Sequence, residues 1–314
     1  MTDSGFASEL KAALEKAVGF ELLPLERLDG TLTLNFKAVR ASDGFAFAVK
    51  CSPPDRHESF EALVRNFEAL DGAKAARRIF PEALGKFGDY DVLCLSWCEG
   101  VRLFPDRLTD AQMELLADDY LDFSAALQHA RPSCPPDDCA EARRKALAGC
   151  RSRWAAGIRR MLECELTESA VTLRPGLVRL IHGDLHHGNF LFRDGRVSGF
   201  FDFENITRGY PAEDLIRYFV CASEHLRWYE QYRKRRILRL FRIVVGRMPY
   251  GLAEWETALD RLLVSKIARK VSGRGLGFLM SVNLLFRAHY YRVMKRHAAE
   301  VLSARDALTS RPDI

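Results

Sequence analysis

Apolar residues recur every third or fourth position over residues 5–17, GFASELKAALEKA, and this spacing predicts a leading helix. The period then changes. Leu32, Leu34 and Phe36 alternate with Thr33, Asn35 and Lys37 and continue to Val39, which predicts a strand. A turn at Ser42-Asp43-Gly44 leads into a second strand, Phe45 to Lys50, so a small antiparallel sheet is the simplest product. Residues 56–71 return to helical spacing, with Phe60, Leu63, Val64, Phe67 and Leu70 on one face. Asp91 to Trp97 is an apolar run of strand length, ended by Cys98-Glu99-Gly100. Beyond it the pattern is mainly helical. Thr109 and Gln112 predict a capping box ahead of Met113, Leu116, Tyr120, Phe123 and Leu127. Residues 131–138, RPSCPPDD, read as a loop. Residues 140–164, 215–245 and 252–303 read as helical, and 304–314 as a fraying polar end.

One stretch interrupts this helical half. Residues 181–204 read IHGDLHHGNFLFRDGRVSGFFDFE. Phe190–Phe192 and Val197–Phe201 are short apolar strands around Arg193-Asp194-Gly195-Arg196, a turn with Gly where positive φ is needed. A loop followed by this hairpin is expected to bring together the carboxylates of Asp184 and Asp202 and the amide oxygen of Asn189. That set suits phosphoryl transfer. One carboxylate orients an attacking hydroxyl and accepts its proton, while a second carboxylate and an amide oxygen hold Mg²⁺ on nucleotide phosphates. Either Asp alone reads better as a turn or cap residue; the three together carry the chemistry.

Asp, Asn five residues later, and Asp at a hairpin end is the order of protein-kinase-like catalytic cores. Here H-G-D replaces H-R-D and D-F-E replaces D-F-G. With these variants, His182-Gly183-Asp184, Asn189, Asp202-Phe203-Glu204 and Gly209-x-Pro211-x-x-Asp214 resemble the aminoglycoside phosphotransferase and choline kinase family. The resemblance implies an α+β, bilobal, protein-kinase-like fold. Residues 1–97 would form the nucleotide-binding lobe and 98–314 the catalytic and acceptor-binding lobe, with ATP and Mg²⁺ as cofactors. It implies Asp184 as the catalytic base, Asn189 and Asp202 as metal ligands, and His182 as a residue that holds the loop. Lys50 ends Phe47-Ala48-Val49-Lys50 as the lysine ends V-A-I-K, and would contact the α- and β-phosphates. Its helix partner would be Glu61 or Glu68, of which Glu68, with Pro81 following, fits the family better. Gly30, in the turn Asp29-Gly30-Thr31, stands where such folds cover phosphates, although it is a single glycine. Ser96 to Cys98 would be the hinge whose backbone meets the adenine edge, and Asp214 would brace the catalytic loop. His186 and His187 suggest a metal cluster beside Asp184, but adjacent side chains on an extended loop point apart, so no transition-metal site is expected.

Composition narrows the partners. Hydrophobic residues make up 48% of the 314 and charged residues 28%, ordinary globular values that allow ample core. No apolar run approaches the roughly 20 residues of a membrane span, and residues 1–20 carry charges in a helical pattern rather than a signal peptide, so a cytoplasmic protein is expected. Of the eight Cys, only Cys134-x4-Cys139 is spaced for a metal, and reduced thiols are the expectation. The charge of +5 is uneven: residues 1–100 carry −4, 101–200 carry 0 and 201–314 carry +9. Residues 227–247 hold eight Lys and Arg against the single acid Glu230, and a second basic set runs from Arg261 to Arg296. Aminoglycosides are polycations and need an acidic face. This cationic third instead suits an anionic small molecule or glycan, such as a lipopolysaccharide-core sugar, or peripheral contact with the inner face of a membrane. A pseudokinase scaffold is the alternative. A nucleic-acid-binding module is disfavoured, because the basic residues interleave with core-like apolar positions.

Overall fold

The computed structural model describes residues 3–28, 33–70, 79–80, 85–129, 139–151, 153–164, 178–226, 230–271 and 278–309. They fall into two compact units. The first comprises Met1–Val101, His129–Ser133 and Phe190–Asn205; the second comprises Arg102–Gln128, Cys134–Asn189 and Ile206–Ile314.

The first unit is built on a five-stranded antiparallel sheet. Its order is β1 (Glu26–Leu28), β2 (Leu34–Val39), β3 (Ala46–Ser52), β5 (Tyr90–Ser96) and β4 (Lys86–Phe87). Alternate residues of β2 and β3 point one way, as a period of two requires. Phe36, Ala38, Phe47, Val49 and Cys51 are therefore buried together with Leu10 and Leu14 of α1 (Asp3–Val18). Each large side chain in this set contributes roughly 1.5–3 kcal/mol by leaving water. Helix α2 (His57–Ala69) follows β3 through a 3-10 turn at Pro54–Arg56. The hairpin of β7 (Phe190–Arg193) and β8 (Arg196–Phe200) belongs to the same unit. Its two-residue turn has Asp194 at φ 53° and Gly195 at φ 80°, the backbone the sequence anticipated.

The second unit is mainly helical: α3 (Asp110–His129), α4 (Cys139–Gly149), α5 (Ala156–Cys164), α6 (Pro211–His225), α7 (Gln231–Arg247), α8 (Leu252–Lys270) and α9 (Phe278–Thr309). Tyr120, Phe123, Tyr218, Phe219, Phe241 and Trp255 are fully buried in it. The expected capping box is present at α3, with Thr109 N–H donating to Gln112 Oε1 and Gln112 N–H to Thr109 Oγ1. A short ladder of β6 (Arg179–Ile181) with β9 (Thr207–Gly209) was not legible from periodicity, because each strand has only three residues. The antiparallel sheet and the helical remainder match the kinase-like architecture expected.

The segments 140–164, 215–245 and 252–303 are helical as expected, each as two helices. The first divides after Gly149, a poor helix former, where Arg159 of α5 donates to the Cys150 carbonyl. One local expectation needs correction. Helix α9 continues to Thr309 rather than fraying from 304, because Leu302 is buried and Arg305 donates to the carbonyls of Met248 and Tyr250. The loop at 131–138 lies outside the described residues. So does Cys134, while Cys139 begins α4. Cys51, Cys94 and Cys150 are buried thiols outside any disulfide, and burial pushes Cys51 up to about 12. Among the described residues, no helix is long and apolar enough to cross a membrane.

Candidate active site

The first unit positions Lys50 and Asp202. Lys50 lies in the middle of the sheet, opposite Asn35 on β2 and Leu93 on β5. Its Nζ donates to Asp202 Oδ1 at 2.6 Å, and the lysine side chain is only 15% exposed. Asp202 leaves β8 at φ 65°, a left-handed conformation that costs a non-glycine residue about 1 kcal/mol. The next residues explain how it is held. Phe203 is fully buried, its carbonyl accepts from Asn66 Nδ2 at 2.6 Å, and its ring meets Phe67 edge-on at 5.1 Å. Helix α2 thus grips the Asp-Phe-Glu segment with two consecutive side chains. His57, at the start of α2, hydrogen-bonds Asp91 of β5 at 2.7 Å and anchors that helix to the sheet.

Neither role of Asn66 nor that of His57 was read from the sequence. The available signal was Asn66 itself, a polar residue inside the apolar stripe between Leu63 and Leu70. Of the two candidate acids, Glu61 faces His57 at 3.3 Å and Arg65 at 3.4 Å. Glu68 lies on α2, but its side chain is outside the described residues, as are Gly30 and Pro81. Lys50 takes Asp202 as its acid here. Ser96 ends β5 opposite Phe47, and the half-buried Cys98 follows two residues later. Between them, Trp97 donates to Glu99 at 2.7 Å and lies under Lys37 Nζ at 4.7 Å, so it packs within this unit. Val101 then exchanges both backbone hydrogen bonds with Phe192, tying the chain after the hinge candidate to the hairpin.

The second unit positions Asp184 and Asn189. Gly183 adopts φ 79°, which a side chain would resist, and this bend turns its N–H toward α6. Asp214 there accepts from His182 N–H at 2.7 Å, Gly183 N–H at 2.9 Å and the Tyr120 hydroxyl at 3.0 Å. Asp214 is fully buried, and burial pushes its carboxyl above the ordinary aspartate range, against the pull of those donors. The loop closes on itself: Asn189 Nδ2 donates to the Asp184 carbonyl at 2.9 Å, and Asn189 N–H to the His186 carbonyl at 2.9 Å. The first bond orients the amide so that its oxygen is the end left over. His182 is buried, and its Nδ1 lies 3.4 Å from the Asp184 N–H, a loop-holding place.

Asp184 is about one-third exposed, with Arg217 Nη1 at 3.9 Å and His186 Nε2 at 3.8 Å. His187 stacks on Phe104 at 4.0 Å and His186 Nδ1 accepts from Gly188 N–H, but the two rings meet edge-on at 5.6 Å rather than pointing apart as expected. The residues that would meet a magnesium nucleotide fit it chemically. An amide oxygen and carboxylate oxygens are hard donors suited to Mg²⁺, and Lys50 supplies a shielded positive charge for phosphate.

Most of the basic run on α7 is engaged internally. Arg233 pairs with Asp106 at 2.7 Å and Glu230 at 2.6 Å. Arg236 donates to the carbonyls of Asp106 and Leu108, and Arg239 to Asp110. Arg242 pairs with Glu300 and Arg247 with Asp118.

These features define a kinase-type phosphotransferase. Residues 26–245 match the family model described as "Phosphotransferase enzyme family", and the chain belongs to that family. No curated protein matches it. Among solved structures, the amicoumacin kinase hAmiN, in complex with AMP-PNP, Ca²⁺ and Ami, is similar with a TM-score of 0.61 and 13% identity over 94% of each chain. The streptomycin-ATP-APH(2")-IIa ternary complex gives a TM-score of 0.57 at 15% identity, over 89% of this chain and 96% of that one. Spectinomycin phosphotransferase APH(9)-Ia, in complex with ADP and spectinomycin, gives 0.54 at 11% identity, over 94% and 98%. At such identities the likeness is one of fold.

Proposed function

We propose that this kinase moves the γ-phosphate of ATP to a hydroxyl of a small molecule or glycan, an anionic sugar such as one of a lipopolysaccharide core. The observation that carries the reading is the Lys50–Asp202 contact at 2.6 Å, which joins the strand lysine to the Asp-Phe-Glu carboxylate within a chain of this family. Asp184 orients the acceptor hydroxyl and takes its proton. The acceptor oxygen forms a bond to the γ-phosphorus while the bond to the β,γ-bridging oxygen breaks, and ADP leaves with that electron pair. Asn189 and Asp202 would hold Mg²⁺, which would neutralise charge on the phosphates. Lys50 binds the α- and β-phosphates, with Glu68 as its helix partner, and the backbone at Gly30 covers them. The backbone from Ser96 to Cys98 meets the adenine edge. Nucleotide recognition lies in residues 1–97 and acceptor recognition in 98–314. A cytoplasmic place follows, since ATP is supplied there.

Membrane docking through α7 has less support, because most of its arginines are paired with acids or carbonyls of the same chain. Turnover is tested by Mg·ATP-dependent phosphate transfer across amino alcohols, monosaccharides, aminoglycosides and core oligosaccharides. Transfer to at least one class, abolished in Asp184→Asn while Mg·ATP still binds, is the expected result. Nucleotide binding without any transfer would leave the scaffold alternative instead.

A further inference from the structure

Three cations of the second unit, Arg217 beside Asp184 and Lys266 and Arg287 on Glu224, are not used by the phosphoryl-transfer chemistry above. Arg217 stands on α6, about one turn after Asp214. Its Nη1 is 3.9 Å from Asp184 Oδ1, beyond hydrogen-bond reach, and its Nε is buried with no hydrogen-bond partner among the described residues. The adjacent acids of α6 are committed elsewhere: Glu213 to Arg261 at 2.7 Å, Asp214 to the catalytic-loop N–H groups and Tyr120. A buried guanidinium N–H lacking an acceptor is unfavourable until something completes it.

Lys266 of α8 and Arg287 of α9 add to this. Both converge on one carboxylate, Glu224, with Arg287 Nη1 at 2.5 Å. Two cations on one acid leave a positive charge over. Arg217, Cys221 and Glu224 stand at i, i+4 and i+7 on one face of α6, so the cations held by Glu224 lie on the side of the helix that Arg217 occupies. The Cys221 thiol is pushed up by burial and by Glu224, and Arg217, Lys266 and Asp184 act on it as well. Tyr291 is raised by burial in the same way, with Glu224, Arg217 and Arg287 around it. The side chains of Arg217, Lys266 and Arg287 are 16%, 16% and 24% exposed, so a ligand can reach them where water screens charge poorly.

We infer that Arg217, Lys266 and Arg287 bind an anionic group, a carboxylate or phosphate, on the same acceptor whose hydroxyl faces Asp184. This rests on the kinase reading and names its substrate class. A guanidinium matches the paired oxygens of either group, and Lys266 contributes a point charge. A polycationic acceptor meets like charge at this place and is disfavoured.

The test is ¹⁵N NMR of arginine Nε–H groups in the full chain, with and without Mg·ADP. Glucuronate, galacturonate and glucose 6-phosphate are titrated against the neutral counterparts glucose and galactose. The expected result is a saturable shift of the Arg217 signal with anionic compounds alone, that signal being identified by its loss in Arg217→Lys. The dissociation constant weakens about fivefold or more in Lys266→Met and is unchanged in Arg239→Gln, whose partner is Asp110. Shifts with the two uronates mark a carboxylate site, and a shift with glucose 6-phosphate alone marks a phosphate site. The inference is overturned by no saturable shift with any anionic compound, by an equal shift with glucose, or by equal affinity in the wild type and Lys266→Met. Failure to bind Mg·ADP sinks the kinase reading instead, while the titrations without nucleotide still decide the subsite.

Discussion

Lys50 Nζ and Asp202 Oδ1 stand 2.6 Å apart although 152 residues separate them in the chain. The contact joins the middle of the sheet to the end of the hairpin and sets opposite charges side by side, the pairing that the proposed nucleotide site requires. Asp202→Asn keeps the shape and removes the charge. It is expected to lower kcat at least about a hundredfold, and Lys50→Met to act chiefly on KM for ATP. Steady-state kinetics at several Mg²⁺ concentrations check both, and an undiminished kcat in Asp202→Asn would remove that residue from the metal-binding role.

Helix α2 holds this carboxylate through its neighbour. Asn66→Leu deletes the bond to the Phe203 carbonyl in a buried place and is expected to cost about 1–2 kcal/mol, with a several-fold loss of kcat. Denaturant unfolding and kinetics on one preparation test it. Loss of stability with full activity would show that the grip on Phe203 does not serve Asp202.

Asp214 does the corresponding work for the catalytic loop. Asp214→Asn replaces an acceptor of three hydrogen bonds by an amide that must turn one donor toward another, so about 2–4 kcal/mol and at least tenfold in kcat are expected to go. Tyr120→Phe leaves both backbone bonds and is expected to cost about 1 kcal/mol with kcat nearly intact. Equal effects of the two variants would contradict this division of labour.

His57 makes the anchoring of α2 depend on pH. Its bond to Asp91, and that carboxylate's charge, raise the imidazole above its ordinary value. A raised histidine contributes stability that is complete below the unfolded value near 6.5 and is lost as pH climbs through the higher folded value. The gap in Tm between the wild type and His57→Gln is therefore expected to narrow as pH rises from about 6 to above 8. A gap that widens over that range would reverse the assignment.

Arg236 separates scaffold from binding face on α7. It donates to two carbonyls, those of Asp106 and Leu108. Arg236→Met is expected to lower stability by about 1–2 kcal/mol and leave the acceptor KM unchanged. A raised KM at unchanged Tm would restore α7 as a docking surface.

The local order of residues was sufficient for much of this protein. The alternation of Leu34 and Phe36 with Asn35 and Lys37 specifies a strand with one buried face, and Thr109 with Gln112 specifies a helix start. Asp194-Gly195 specifies the hairpin turn, and the string from His182 to Glu204 marks the chemistry, because the backbone geometry and donor types are properties of short segments. Other features depend on residues far apart in the chain. Lys50 took Asp202 rather than Glu61, and Asn66 was drawn to Phe203. The basic run on α7 met Asp106, Asp110 and Asp118 and was largely neutralised, whereas Arg217 has only the longer 3.9 Å pairing with Asp184 and a buried Nε without an acceptor. Sequence alone determined which charges and apolar faces exist. Tertiary structure decided which charges cancel and which remain, because Coulomb energy and hydrogen bonding act over a few ångströms of space and take no account of separation along the chain.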